Sequence, residues 1–186
     1  AKRTENKGLS TETIGINIPS STNVDETKII DIDLINHLKA KFKEWKSGWK
    51  EEHVFSGDEF DEESHMEGHK PFISDRKIAI KTKIVILLDH SSSIANQEIQ
   101  YKKATLALCE VLEYLKVKFS VYAFNTEQKH VVCWLVKPEN LKWNNISAKR
   151  LAQIKANGST PLAEVSNMLL PPLRSKQPDL FLTLPD

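Results

Sequence analysis

Residues 84–94 read Ile84-Val-Ile-Leu-Leu-Asp-His-Ser-Ser-Ser-Ile94, and this stretch decides the fold. It opens with an unbroken run of β-branched and aliphatic residues, which is typical of a strand buried on both faces of a parallel sheet. Asp89 follows at the carboxyl end of that strand, with Ser91 and Ser93 at alternate positions after it. Because ligands of open α/β sheets bind at the carboxyl ends of the strands, these polar residues are candidates for a binding site.

Strand and helix patterns alternate from residue 77 to residue 186. Apolar residues at helical spacing predict a long helix directly after the serines. Two shorter helices follow later, one with Ser147 as its N-cap and one opened by Pro161 and ended before Pro171. The further predicted strands are 119–124, 131–135 and 180–184. This order predicts an α/β fold with a Rossmann-like, open, mostly parallel sheet flanked by helices.

We expect the first 76 residues to form an N-terminal extension with three parts. Residues 1–27 are polar and read as a flexible tail with room for one short strand. Residues 28–52 carry large apolar side chains at spacings of three and four, as in an amphipathic helix. Residues 53–76 are rich in Asp and Glu and read as a mobile acidic linker.

The amphipathic helix presents Phe42, Trp45 and Trp49 on one stripe. One interpretation is that this stripe docks on the helix's own domain. The other is that it docks on another chain, because large rigid aromatic side chains are favoured anchors at protein interfaces. We take the three aromatic residues as candidate partner-binding residues.

Composition narrows the classes of partner and compartment. The net charge of +1 gives no bulk electrostatic case for a nucleic-acid or membrane partner. No apolar run approaches the roughly 18 residues of a membrane span. The two cysteines, Cys109 and Cys133, lack the spacing of a disulfide framework, and no secretory signal is visible, so we expect buried free thiols and a cytoplasmic location.

The polar residues at the strand ends suit a hard cation. Asp89, Ser91 and Ser93 offer only oxygen, the ligand type that Mg²⁺ or Mn²⁺ prefers. Thr160 lies between Gly158, which permits a tight turn, and the helix-opening Pro161. Asp186 follows the last strand, so three strand-end segments each bring an oxygen to one crevice.

These residues resemble the metal-ion-dependent adhesion site of the von Willebrand factor A (vWA) family, with its Asp-x-Ser-x-Ser, Thr and Asp. The resemblance covers roughly residues 80–186. It implies that the serines and Thr160 contact the metal directly, that Asp89 and Asp186 act largely through water, and that a partner protein supplies an Asp or Glu. It also implies that such a domain continues past Asp186, so we expect residues 77–186 to be an incomplete vWA domain.

Two types of vWA protein fit the resemblance: secreted adhesion proteins, and intracellular partners of AAA+ ATPases such as chelatase subunits and MoxR-associated proteins. The absence of a visible signal and the expected reduced cysteines favour the intracellular type. A structural α/β module with a vestigial metal site is a further alternative. Catalysis is not expected, because the chain has neither a G-x-S-x-G nor a G-x-x-x-x-G-K-[ST] motif.

Overall fold

The fold was obtained as a computed structural model that describes residues 15–47, 51–54, 59–60, 65–68, 72–75, 82–128, 130–174 and 177–184. The helices in these ranges are α1 (Ile32–Ser47), α2 (Glu98–Tyr114), α3 (Asn145–Gln153) and α4 (Leu162–Arg174). The strands are β1 (Glu51–Val54), β2 (Glu59–Phe60), β3 (Phe72–Asp75), β4 (Lys83–Asp89), β5 (Lys118–Glu127), β6 (His130–Lys137) and β7 (Leu180–Leu184). Short 3₁₀ helices form at Thr27–Ile29 and Ser92–Ile94.

The main sheet has the strand order β6-β5-β4-β7. β4 pairs in parallel with both β5 and β7, whereas β5 and β6 are antiparallel. The sheet is therefore open and mostly parallel, with helices on its faces, which confirms the predicted Rossmann-like α/β class. No helix in the described ranges is both long enough and apolar enough to cross a membrane.

Hydrophobic cores lie on both faces of the sheet. Ile86 and Leu88 of β4 belong to the first core, with α2, α3 and part of α1, while Val85 and Leu87 belong to the second core, with α4. Alternate residues of one strand thus face opposite layers, as strand geometry requires. The continuous apolar run in β4 is explained by this burial on both sides.

The sheet also separates the two cysteines. Both are free and buried, with Cys109 in the first core and Cys133 in the second. Burial raises the pKa of the Cys133 thiol to about 12 and that of Cys109 still further above its usual range. Because they occupy opposite faces of one sheet, they cannot approach to the separation of about 6 Å that a disulfide needs.

Helix α1 docks on its own domain over the part whose side chains are described. Ile35 is buried in the first core, and Leu38 and Phe42 pack against it. Lys39 lies 3.4 Å from Glu110 of α2, and the Asp31 carboxylate caps the start of the helix by accepting from the Leu34 amide. The helix is shorter than the predicted 28–52 at both ends.

These contacts bear on the candidate partner-binding residues. Phe42 packs against the first core of the same chain. For this residue the structure therefore favours docking on the helix's own domain. The side chain of Trp45 and the whole of Trp49 lie outside the described residues. Their role as anchors for a partner stays a prediction.

The segment predicted as a mobile acidic linker, residues 53–76, contains the strands β2 and β3 and the second half of β1, which begins at Glu51 in the range predicted as helix. β3 is the central strand of this small antiparallel sheet, with β1 and β2 on either side. Phe72 pairs in register with Val54 on one side and Phe60 on the other. Strands of two to four residues are too short to give a clear alternating pattern, and the many acidic residues obscured them further.

The N-terminal segment extends the main sheet at its β6 edge. The Asn17 amide donates to the Cys133 carbonyl at 2.9 Å, and the Leu135 amide donates to the Asn17 carbonyl at 2.7 Å. Ile16 packs against the second core. These contacts place a short parallel bridge at the position where the sequence allowed one short strand, and they cover part of a sheet edge that would otherwise expose backbone groups.

Two further helix boundaries differ from the sequence prediction. Asn144 is the N-cap of α3, with its side chain accepting from the Ile146 and Ser147 amides, so Ser147 lies inside the helix and is not its cap. Helix α4 continues through Pro171 to Arg174 instead of ending before the proline. Leu173 is buried on the same helical face as Leu169, and this apolar contact favours another turn in spite of the missing proline amide.

The Asn144 cap gives a test of this boundary. Asn144→Ala should lower the free energy of unfolding by about 1 kcal/mol, because two amides of the first turn lose their acceptor. Chemical denaturation would measure the change. The matched control is Asn145→Ala, which alters the exposed neighbouring asparagine and leaves the cap in place. Equal destabilisation by the two variants would contradict the assignment of Asn144 as the cap.

Candidate metal site at the carboxyl end of the sheet

The first segment of the site follows β4 directly. Asp89 is only 2% exposed, and its Oδ1 accepts a hydrogen bond of 2.9 Å from the Ser91 amide. The hydroxyls of Ser91 and Ser93 share a hydrogen bond of 2.6 Å. A 3₁₀ turn over Ser92–Ile94 bends the chain toward α2. The local structure therefore brings the predicted carboxylate and both predicted hydroxyls to one end of the central strand.

The second segment, residues 154–161, follows the helix α3 and not a strand, so the prediction of three strand-end segments is wrong for this one. It is hydrogen-bonded to the first segment. The Asn157 amide donates to the His90 carbonyl at 2.9 Å. In the opposite direction, the amide and the hydroxyl of Ser92 both donate to the Gly158 carbonyl, at 3.0 and 2.8 Å. These three bonds fix the two segments against each other.

Gly158 is required by the close approach of this segment to β5. Its φ is +67°, and a Cβ added there would lie 2.2 Å from the Thr126 carbonyl oxygen. A side chain at residue 158 is excluded by both the backbone conformation and the space. The Thr126 hydroxyl in turn donates to the Ser159 carbonyl at 3.1 Å. These contacts hold residues 158 and 159 against β5 just before Thr160.

Thr160 lies at the predicted loop-to-helix junction. It is exposed, two residues beyond Gly158, and the following Pro161 is buried at the start of α4. The Pro161 carbonyl accepts from the Val165 amide at 3.0 Å, which makes it the first acceptor of the helix. The Thr160 side chain thus belongs to the segment that Ser92 holds beside Ser91 and Ser93.

The third segment follows β7. This strand pairs in parallel with β4, with Leu184 opposite Leu88, so its carboxyl end reaches the same edge of the sheet as Asp89. The Tyr101 hydroxyl of α2 donates to the Leu184 carbonyl at 2.8 Å and fixes that end. Asp186 itself lies outside the described residues, and its part in the site stays a prediction.

His90 is buried beneath the site with its side chain away from solvent. It is fully buried, its ring meets that of Tyr101 edge to face at 5.5 Å, and neither ring nitrogen has a hydrogen-bond partner in the described structure. Burial, and then the positive charge of Lys102, lower the pKa of His90 to about 4. His90 is therefore not placed as a general base for the adjacent serine hydroxyls.

The electrostatics of the site centre on Asp89. Among the residues that the structure describes, no Lys, Arg or His forms an ion pair with this buried carboxylate. Nor do three or more His, Cys, Asp or Glu side chains in those ranges gather into a metal-binding cluster. Any cation bound here would have to use hydroxyl oxygens beside the carboxylate. Such a donor set fits Mg²⁺ or Mn²⁺ and does not fit soft metals.

Sequence reasoning missed the residues that hold the site together. Ser92 was not among the predicted site residues, yet it supplies both bonds to Gly158. Thr126 lies in the strand β5 and carried no motif. Gly158 was the available signal, because a glycine permits a close backbone approach that a side chain would block.

Comparison with models of known protein families, with curated proteins and with solved structures gave no significant match. The function of this chain therefore has to be inferred from its own residues and their geometry.

Burial of His90 predicts a loss of stability in acid. The unfolded chain takes up a proton at this imidazole as the pH falls through 6.5, whereas the folded chain takes it up only near pH 4. The free energy of unfolding should therefore decrease between pH 6.5 and 4, by about 3 kcal/mol from this residue. Urea denaturation in EDTA at several pH values would measure it. His90→Leu should show a shallower decrease over this window, and parallel curves for variant and wild type would contradict the prediction.

Proposed function

We propose that this domain binds Mg²⁺, or Mn²⁺, through Asp89, Ser91, Ser93, Thr160 and Asp186, and that the bound cation engages an acidic residue of another protein. The observation that carries the proposal is the buried Asp89 carboxylate beside two serine hydroxyls 2.6 Å apart. A buried carboxylate with no ion-pair partner in the described structure is unfavourable unless something compensates its charge. A cation is the simplest compensation.

The spacing of the serine hydroxyls suits an octahedral ion. Two adjacent ligands of Mg²⁺, each about 2.05 Å from the metal, are about 2.9 Å apart. The Ser91 and Ser93 oxygens are 2.6 Å apart, so a shift of a few tenths of an ångström would bring them to the ligand spacing. The hydrogen bond that they share would be exchanged for two bonds to the metal.

The charge of this donor set supports a protein partner. Neutral hydroxyls and one or two carboxylates leave a divalent cation with residual positive charge and with positions open to other ligands. An Asp or Glu from a partner would bind directly at such a position. Ser93 and Thr160 are exposed, so a partner side chain could reach the proposed site from solvent.

The class of partner follows from the resemblance to intracellular vWA proteins. We infer a cytoplasmic assembly with a AAA+ ATPase, in which this chain is a binding subunit and not the catalyst. The cation would supply the contact to the partner's carboxylate. Trp45 and Trp49 would supply a second, apolar contact.

Titration calorimetry tests the metal site. The wild-type chain should bind Mg²⁺, and Ser93→Ala and Thr160→Ala should each weaken binding about tenfold or more, equivalent to about 1.4 kcal/mol, because each removes one oxygen ligand. The matched control is Ser166→Ala, whose hydroxyl donates to the Leu162 carbonyl within α4, away from the site. If the wild type and all three variants bind Mg²⁺ with equal affinity, the proposed site is wrong.

Partner capture tests the second half of the proposal. Association should weaken by roughly 2–5 kcal/mol in Asp89→Ala, the range for removing one member of a buried interfacial charge contact. EDTA should have the same effect on the wild type, whereas Trp45→Ala should weaken capture with or without metal. Quantitative mass spectrometry of captured proteins would measure all three, with Ser166→Ala again as the control. Capture that neither EDTA nor Asp89→Ala changes would indicate a vestigial site.

A further inference from the structure

A buried lysine of α2 is bonded to the segment that carries Thr160. Lys102 is only 3% exposed, and its ammonium group donates to the Ala152 carbonyl at 3.0 Å and also to the Ile154 carbonyl. Its third donor goes to the carboxylate of Glu98, one turn earlier on the same helix. All three N–H donors of the lysine are therefore used in the interior.

Glu98 extends the same network to the next part of the segment. Its second oxygen, Oε2, accepts from the Ala156 amide at 3.2 Å. The two side chains together bind the chain at residues 152, 154 and 156, where α3 ends and the polar loop begins. The next two residues, Asn157 and Gly158, are the ones that bond to His90 and Ser92.

Stability alone is a poor explanation for this pair. Removing a charged group from water is expensive, and replacing a buried ion pair by apolar residues is often neutral or stabilising. Burial lowers the pKa of Lys102, and the neighbouring Glu98 carboxylate opposes that effect. The charged network is better explained by the backbone positions of residues 152, 154 and 156, which it holds in place.

We infer that Glu98 and Lys102 are positioning residues for the candidate metal site: they hold residues 152–156 so that Gly158 and Thr160 meet the Asp89–Ser93 segment. Neither residue contacts the cation. They act through the backbone, as outer residues of a metal site act by orienting its ligands. The inference rests on the proposed function, since the site it serves is the one proposed there.

The test combines magnesium affinity with amide exchange in the full chain. In Lys102→Met, which is close in size but has no donors, and in Glu98→Gln, Mg²⁺ affinity should fall about tenfold or more, the usual effect of losing an outer residue. Amide hydrogen exchange measured by NMR should accelerate at Ala156 and Asn157 and stay unchanged in β4 and β5. Exchange at these amides reports the anchoring directly and needs no metal.

Neighbouring residues of the same helix provide matched controls. Lys103 lies 3.6 Å from Asp31, and Glu110 lies 3.4 Å from Lys39, so Lys103→Met and Glu110→Gln remove α2 charges that face α1 and not the loop. Both should keep wild-type Mg²⁺ affinity and wild-type exchange. If Lys102→Met does not fold, Glu98→Gln decides the outcome, because this side chain is 24% exposed and its loss is milder.

The outcomes separate this inference from the proposed function. Failure of the wild type to bind Mg²⁺ overturns both. A second outcome is that the wild type binds Mg²⁺ and Ser93→Ala weakens this binding, as the proposed function expects. If Lys102→Met and Glu98→Gln then behave like the controls Lys103→Met and Glu110→Gln, only the positioning role is overturned. Weaker binding together with faster exchange at residues 156–157 supports it.

Discussion

The burial of β4 on both faces is the constraint on which the rest of the structure depends. Ile86, Leu87 and Leu88 are fully buried, and their side chains point alternately into the two cores. A strand of this kind requires helices on each side and a paired strand at each edge, which β5 and β7 provide. Because both neighbours run parallel to β4, their carboxyl ends meet at Asp89. The position of the site thus follows from the packing of the core.

Helix α2 contacts all three segments of the candidate site and holds them in place. Glu98, Tyr101 and Lys102 are spaced as i, i+3 and i+4, so they share one helical face. Tyr101 contacts the His90 ring and donates to the Leu184 carbonyl, while the charged pair binds the loop that follows α3. One face of one helix therefore contacts all three segments of the candidate site, and a displacement of α2 would move them together.

The sequence predicted the parts of this structure that depend on apolar patterning. The run at 84–88 identified the central strand, and the order of elements after it identified the α/β class. Features set by tertiary contacts could not be read in the same way. From its charge alone, Lys102 would be expected to face solvent. The fold shows instead that its ammonium group is buried and donates to three acceptors in the interior. Similarly, Ser147 and Asn144 are both good N-caps, and the choice between them depends on where Ala148 and Leu151 enter the first core.

The candidate site shows the same division between local and tertiary information. Asp89, Ser91 and Ser93 were found because their spacing is local, whereas the approach of Gly158 to Thr126 joins residues 32 positions apart and has no local signature. The buried Asp89 carboxylate links the site to the stability of the fold. A cation that binds the native chain and not the unfolded chain would also stabilise the fold, by RT ln(1 + [Mg²⁺]/Kd).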